Sequence, residues 1–419
     1  SSPNPFELIP PEIIEDPYEF YAMLRENAPV FHVEEHDIYV VTRHDLCLDA
    51  LKRPGDFLQW TGAEMFAPGE GPALGPAELW SPEVREIMSR GFENVNTLVT
   101  ANAPEHTEYR TIVLNAFSAS RTAERMTDRI YELTDELIDG FAGKGTAEVV
   151  SEFAVPLPVK VIAEILGVPP EEYATFKRWS DDSIVAIGGG VTPQRMIESA
   201  ESIVEFQQYF VEKINERRAH PTDDVISVMV SAKRSDGTPL DMGELLSILM
   251  QMLVAGNETT TSLIGSAIWR IVREPEVAAA VYADPTKVKN AVEEGLRIEA
   301  PVQGLFRRTQ SEQKLGEFEI PANAKVLIMY GAANRDGNVY EDPDSFSVCR
   351  PKPSNHLGFG FGSHFCVGAA LARKEANIAL ERLFARLPNL RLTEGKEIRH
   401  QMHPLLRGLT QLWVDFDAK

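Results

Sequence analysis

Three cysteines in 419 residues are too few for a disulfide framework, and the number is odd. Cys47, Cys349 and Cys366 therefore argue against a secreted, stapled fold and for a reducing, cytoplasmic setting. Positive charge is also scarce. Forty-one Lys and Arg stand against 63 Asp and Glu, a formal net charge of −22. Duplex nucleic acid requires the opposite balance. The acidity mainly favours solubility, and it leaves room for a local basic patch that docks an acidic partner. No stretch approaches the roughly 20 apolar residues of a membrane helix. The opening "SSPNPFELIPPEIIEDPYEF" has no basic segment followed by an apolar run, so neither a signal peptide nor membrane attachment is expected. Length alone favours about two or three domains, yet Ser/Gly tracts, charge blocks and repeats are missing. A single monomeric domain over 1–419 is expected, with a core large enough to enclose a ligand.

What is present reads as mostly α with small β-sheets. "DIYVVTRHDLCLDALKRP" starts as a strand, Ile38 to Thr42, and turns helical. Residues 58–103 are rich in Gly and Pro and read as one long irregular segment, a feature that is usually functional. "APEHTEYRTIVLNAF" predicts a helix with Pro104 in its first turn. Further helices are expected over 122–142, 156–166, 171–186 and 193–219, with "IGGG" at 187–190 separating the last two. Asp241 to Val272 is the longest apolar-periodic run, a helix of about 30 residues and roughly 45 Å. "DPTKVKNAVEEGLRIEAP" is another helix, "KVLIMY" a strand, and a last helix is expected to start at Cys366.

The densest motif is "FGFGSHFCVG", residues 359–368. A cysteine there can be a small buried hydrophobe, or a nucleophile whose thiol pKa is lowered at a helix N-terminus, with His364 as base. Zinc shared with Cys349, His356 and His364 is disfavoured, because Cys349 and His356 do not form a tight ligand pair. Gly360, Gly362 and Gly368 leave backbone room beside the sulfur, as a flat ligand requires. The run resembles the haem-binding signature of the cytochrome P-450 monooxygenases of the soluble bacterial type, and "AALARKE" continues it. The resemblance implies that Cys366 is the proximal ligand of haem b, with Phe359 and Gly360 against the ring. A thiolate ligand favours O–O cleavage.

Other motifs follow in order. In "AGNETT", residues 255–260, Thr259 lies four after Ala255, so its hydroxyl can bond that carbonyl and bend the helix. Glu258 then stands beside an alcohol, a pair able to relay protons, although a glutamate more often sits on a solvated face. The pair resembles the family's acid–alcohol pair over the haem, which also places Ala255 at the cofactor. Glu294 and Arg297 share a helix face at i, i+3, by itself an ordinary surface pair. The family has Glu-x-x-Arg here, completed by an arginine matching Arg350, so a structural triad is implied. The family also implies that His106, Arg110, Arg307 and His364 bind the propionates, with His356 a weaker candidate. The resemblance runs from "DPYEFYAMLRENAPV" to "LLRGLTQLWV". Asn257 departs from it, standing where relatives often have a larger side chain.

The implied activity is hydroxylation of a small-to-medium hydrophobic substrate with dioxygen. Glu258 and Thr259 would deliver protons, and a ferredoxin with its reductase would supply electrons. No segment resembles a flavin or iron–sulfur domain. Arg373 and Lys374 are expected to form the ferredoxin patch. Pocket residues by position are Gln251, Val254, Ala255, Leu305, Leu405, Leu406, Leu98 and Ile184, with Phe66, Trp80, Phe92 and Ile187 as lid candidates. Core packing explains any single lid residue equally well. Gln251 is the one polar member, so a substrate with one polar group is expected. Two rivals stand against this activity. A peroxide-driven peroxygenase would usually lack the acid–alcohol pair. A gas carrier or sensor would usually carry a second, receiving domain.

Overall fold

The computed structural model describes residues 9–188 and 191–418. The expected break at 187–190 therefore falls partly outside the described residues. The chain divides into two compact units. The first holds 58–126 and 159–257, and the second 9–57, 127–158 and 258–418. The boundary falls inside the helix Met242–Val272, which is unbroken.

The second unit contains the sheets. Its strands are β1 (Val30–Val33), β2 (Ile38–Val41), β3 (Phe57–Gln59), β4 (Thr146–Glu148), β5 (Leu305–Thr309), β6 (Gln313–Leu315), β7 (Phe318–Ile320), β8 (Lys325–Ile328), β9 (Arg391–Leu392) and β10 (Trp413–Asp415). The main sheet runs β1-β2-β8-β5-β3, with β2 parallel and β5 antiparallel to β8. Parallel strands are buried on both faces and so read as continuous apolar runs, which is why "IYVV" and "KVLI" lack alternation. A core of Val41, Leu46, Cys47, Leu51, Phe57, Val326, Ile328, Tyr330 and Leu357 packs against this sheet. The helices Val288–Ile298 and Ala369–Arg386 complete the unit's functional side.

The first unit is helical. Its long elements are Glu105–Ala119, Tyr173–Gly188 and Pro193–Ala219. Phe176, Trp179, Phe206 and Phe210 form its aromatic centre, with Trp179 edge-on to Phe206 at 5.8 Å.

Three expectations shift. Residues 58–103 are less irregular than expected, because Pro82–Met88 is a helix. Ser81 accepts the Val84 N–H and Pro82 occupies the first turn, a start signal present in "SPEV". The last helix begins at Ala369 rather than Cys366. The Cys366 N–H bonds the Phe359 carbonyl at 2.9 Å, which keeps Cys366 in the loop, and the first i to i−4 bond runs from the Ala372 N–H to Gly368 O. Pro104 precedes its helix, which opens at Glu105.

Candidate active site

The three cysteines have three different environments. Cys47 is fully buried, its thiol donates to the Val41 carbonyl, and burial pushes its pKa up, which makes it inert. Cys349 is exposed. Cys366 is half-buried on the loop leading into Ala369–Arg386.

That loop is shaped by backbone requirements. Gly360 and Gly362 adopt φ of +75° and +79°, a region costly for any residue with a Cβ. A Cβ at Gly362 would also meet the Leu51 carbonyl at 3.0 Å. Only Gly368 adjoins the sulfur, with its would-be Cβ 3.9 Å from Cys366 Sγ. Of the three glycines expected beside the sulfur, Gly360 and Gly362 serve the turn instead.

Behind the loop lies a buried charge cluster. Glu294 and Arg297 are wholly buried and Arg350 nearly so. Glu294 accepts from Arg297 Nε at 2.5 Å, from Arg350 Nε at 2.8 Å and from the Ser347 N–H at 2.8 Å. The guanidiniums reach on to backbone carbonyls. Arg297 donates to Asn334, Pro343 and Ser345, and Arg350 to Glu341, Asp342 and Ser345. Six further donor bonds are directed at the segment preceding the cysteine loop, and such bonds are what make a buried ion cluster tolerable.

A second carboxylate, Glu293, works one position earlier. It accepts from Arg373 Nε at 2.6 Å and lies 2.7 Å from His356 Nε2. Burial raises its pKa, but His356 and Arg373 outweigh that and hold it below the usual range. His356 Nδ1 accepts the Gly358 N–H at 2.9 Å. Both ring nitrogens of His356 thus serve the loop. Arg373 also stacks over Phe359, 4.9 Å from the ring centroid. The expected basic patch is corrected accordingly, since the Arg373 charge is paired with Glu293. Lys374 bonds Thr127 Oγ1 at 2.7 Å.

Arg307, on β5, is buried and beside the Tyr330 hydroxyl. Burial pulls its pKa down and Tyr330 opposes that shift. His364 Nδ1 lies 3.2 Å from Ser363 Oγ. Leu305 is 37% exposed, Leu405 is buried and Leu406 half-buried. Glu258 and Thr259 are half-buried on the long helix.

In the first unit, His106 is buried and Arg110 half-buried on Glu105–Ala119. Ala255 and Gly256 are exposed at the middle of an otherwise enclosed apolar helix, and a Cβ at Gly256 would meet nothing within 4 Å. Leu98 is buried, and Ile184 and Val254 are half-buried. Gln251 has a different task from the one expected. Its carboxamide oxygen accepts the Val99 N–H at 3.0 Å, and Ser247 Oγ accepts the Val95 N–H at 2.9 Å, so the long helix holds the 95–99 loop. Asn257 points to Ser180 Oγ at 3.0 Å.

The donor set suits a haem. A half-buried thiol on a rigid loop is a soft axial ligand, and buried cations match propionate carboxylates. Among the described residues there is no group of three or more His, Cys, Asp or Glu that could hold a metal ion.

Comparison with known proteins agrees. The cytochrome P450 family model matches residues 191–409. The chain is 35% identical over 414 residues to cytochrome P450 107B1 of Saccharopolyspora erythraea, spanning 96% of this chain and 95% of that protein. It is 35% identical over 407 residues to the 6-deoxyerythronolide B hydroxylase of the same organism, spanning 96% of each. The solved structure of CYP109Q5 from Chondromyces apiculatus matches with a TM-score of 0.84 at 36% identity, over 98% of this chain and 97% of that one. The chain belongs to the cytochrome P450 family. It is a monooxygenase with the P450 fold, and its cofactor is haem b. None of the described helices is long and apolar enough to cross a membrane.

Proposed function

We propose that this monooxygenase hydroxylates a C–H bond of a small-to-medium hydrophobic substrate, using electrons from a ferredoxin and its reductase. The chain works as one monomeric haem domain in the cytoplasm. Cys366 is the axial ligand. His106, Arg110, Arg307 and His364 receive the propionates, and Ala255, Phe359 and Gly360 border the ring. Val254, Leu98, Ile184, Leu305, Leu405 and Leu406 face the substrate. The observation that carries this reading is the half-buried Cys366 thiol on a loop whose preceding segment is held by Glu294, Arg297 and Arg350. The relative named as a hydroxylase supports the reaction type.

Thiolate-bound haem supplies the reductive activation of dioxygen. The chain's residues do the rest. The Thr259 hydroxyl donates and accepts at once, so it can receive a proton from the Glu258 carboxyl and present one from Oγ1. Glu258 is half-buried, which lets it be replenished from water. The apolar side chains exclude bulk water and hold the substrate by contact area.

The deciding measurement is the absorption spectrum of the reduced protein under carbon monoxide. A strongly red-shifted Soret band is expected, and Cys366→His should lose it. An imidazole-type band in the unaltered protein would remove Cys366 from the iron.

A further inference from the structure

Residues 401–408, which carry Leu405 and Leu406, are tied down at both ends within the second unit. At the far end Leu405 O accepts the Gln303 N–H at 2.7 Å, and the Arg407 N–H reaches Pro301 O at 2.8 Å. Val302 and Leu406 form an isolated antiparallel bridge. The Arg407 side chain closes the tie, with Nε 2.6 Å from Glu299 Oε2. Glu299 is wholly buried and also accepts Arg270 Nε at 2.9 Å. Its own burial raises its pKa, but Arg407, Arg270 and Arg335 outweigh this and hold the carboxyl far below the usual range. The segment leading to Leu305 and the segment carrying Leu405 and Leu406 are thereby locked to each other.

The near end is held by backbone bonds from the Gln401 N–H to Gly408 O and from the His403 N–H to Gln401 O, each at 2.9 Å, and by one side chain. His403 Nδ1 accepts the N–H of Leu405 and of Leu406, each at 3.0 Å. A side chain accepting from the backbone two and three residues onward is what Asn and Asp do in turns. Here a ring nitrogen does it, which puts the histidine proton on Nε2. Burial lowers the His403 pKa to about 4, so the ring stays neutral and Nδ1 stays an acceptor near neutral pH.

We propose that His403 is a positioning residue for substrate selection, fixing the direction in which Leu405 and Leu406 meet an apolar substrate. The proposal rests on the reading that these leucines border the pocket.

The test uses the haem-loaded enzyme and 1-alkylimidazoles from methyl to decyl. The ring nitrogen binds iron and shifts the Soret band, while the tail samples the pocket. In His403→Leu the dissociation constant of plain imidazole should hold. Those of the long-tailed probes should change about tenfold, the effect of moving two methylenes of contact. His403→Asn keeps an acceptor at the same place and should restore the tail profile to within about twofold. An unchanged profile in His403→Leu, with a changed one in Leu406→Ala, would overturn the positioning role alone. No change in either variant would remove Leu406 from the pocket, and the proposal with it. Loss of the haem spectrum in His403→Leu alone would make the histidine a support of the fold, which also overturns it.

Discussion

Glu375 is the most exceptional single residue outside the site. It lies on the Ala369–Arg386 helix, is buried, and its Oε1 has no hydrogen-bond partner. Burial raises its pKa well above the ordinary value, with no opposing cation. Burial therefore favours the neutral acid form of Glu375 over the carboxylate. Stability from such a group is fully present below the unfolded carboxyl pKa, near 4.5, and is lost as pH rises toward the folded pKa. Glu375→Gln keeps the shape and cannot ionise. Its melting temperature should match the parent below pH 4 and exceed it at neutral pH. An equal difference at both pH values would show that Glu375 does not titrate in this way. A glutamate inside "ARKEANIALE" reads as one more surface charge, because local sequence does not report which helix face is buried.

At the scale of elements, the stability of the cysteine loop lies in the segment before it. Glu294→Gln would leave Arg297 and Arg350 sharing a neutral partner in a buried place. Removing one member of such a cluster costs about 3–5 kcal/mol, a large part of a domain's stability. The expected result is a lower melting temperature and loss of bound haem, read as the ratio of Soret to protein absorbance. An unchanged ratio would mean that the loop holds its shape without the cluster. Helix positions were legible where apolar periodicity was long, as in Pro193–Ala219, which matches the expected 193–219. The pairing of "IYVV" with "KVLI" was not, since it joins strands nearly 290 residues apart through the register Ile38↔Lys325. Among site residues, the Glu294, Arg297 and Arg350 triad was legible only through the family resemblance, since i, i+3 spacing by itself gives a surface pair and the structure buries both residues. Glu293 and Glu299 were missed because their partners come from distant segments; the partners of His403 are local, but a histidine accepting backbone N–H groups in a turn has no distinctive sequence signature. The bond from the Val99 N–H to Gln251 was not legible, because only the fold brings Val99 to it.

For the whole molecule, net charge sets the partner problem. A chain at −22 repels an acidic ferredoxin unless a local region reverses the sign. Arg373 is a poor candidate, because its charge is paired with Glu293. Arg373→Glu would also set like charges together and disturb the cysteine loop. Lys52 is exposed and lies 6.0 Å from the ring centroid of Phe361, an aromatic side chain 41% exposed on the loop itself. Lys374 follows on the next helix. Long-range attraction between exposed charges is screened over about 8–10 Å at 0.10–0.15 M salt. Ferredoxin-driven turnover should therefore fall as salt rises, and Lys52→Glu with Lys374→Glu should lower it further. Peroxide-driven turnover bypasses the partner and should hold in both cases. Equal loss along the two routes would place the effect in the haem site and remove these lysines from docking.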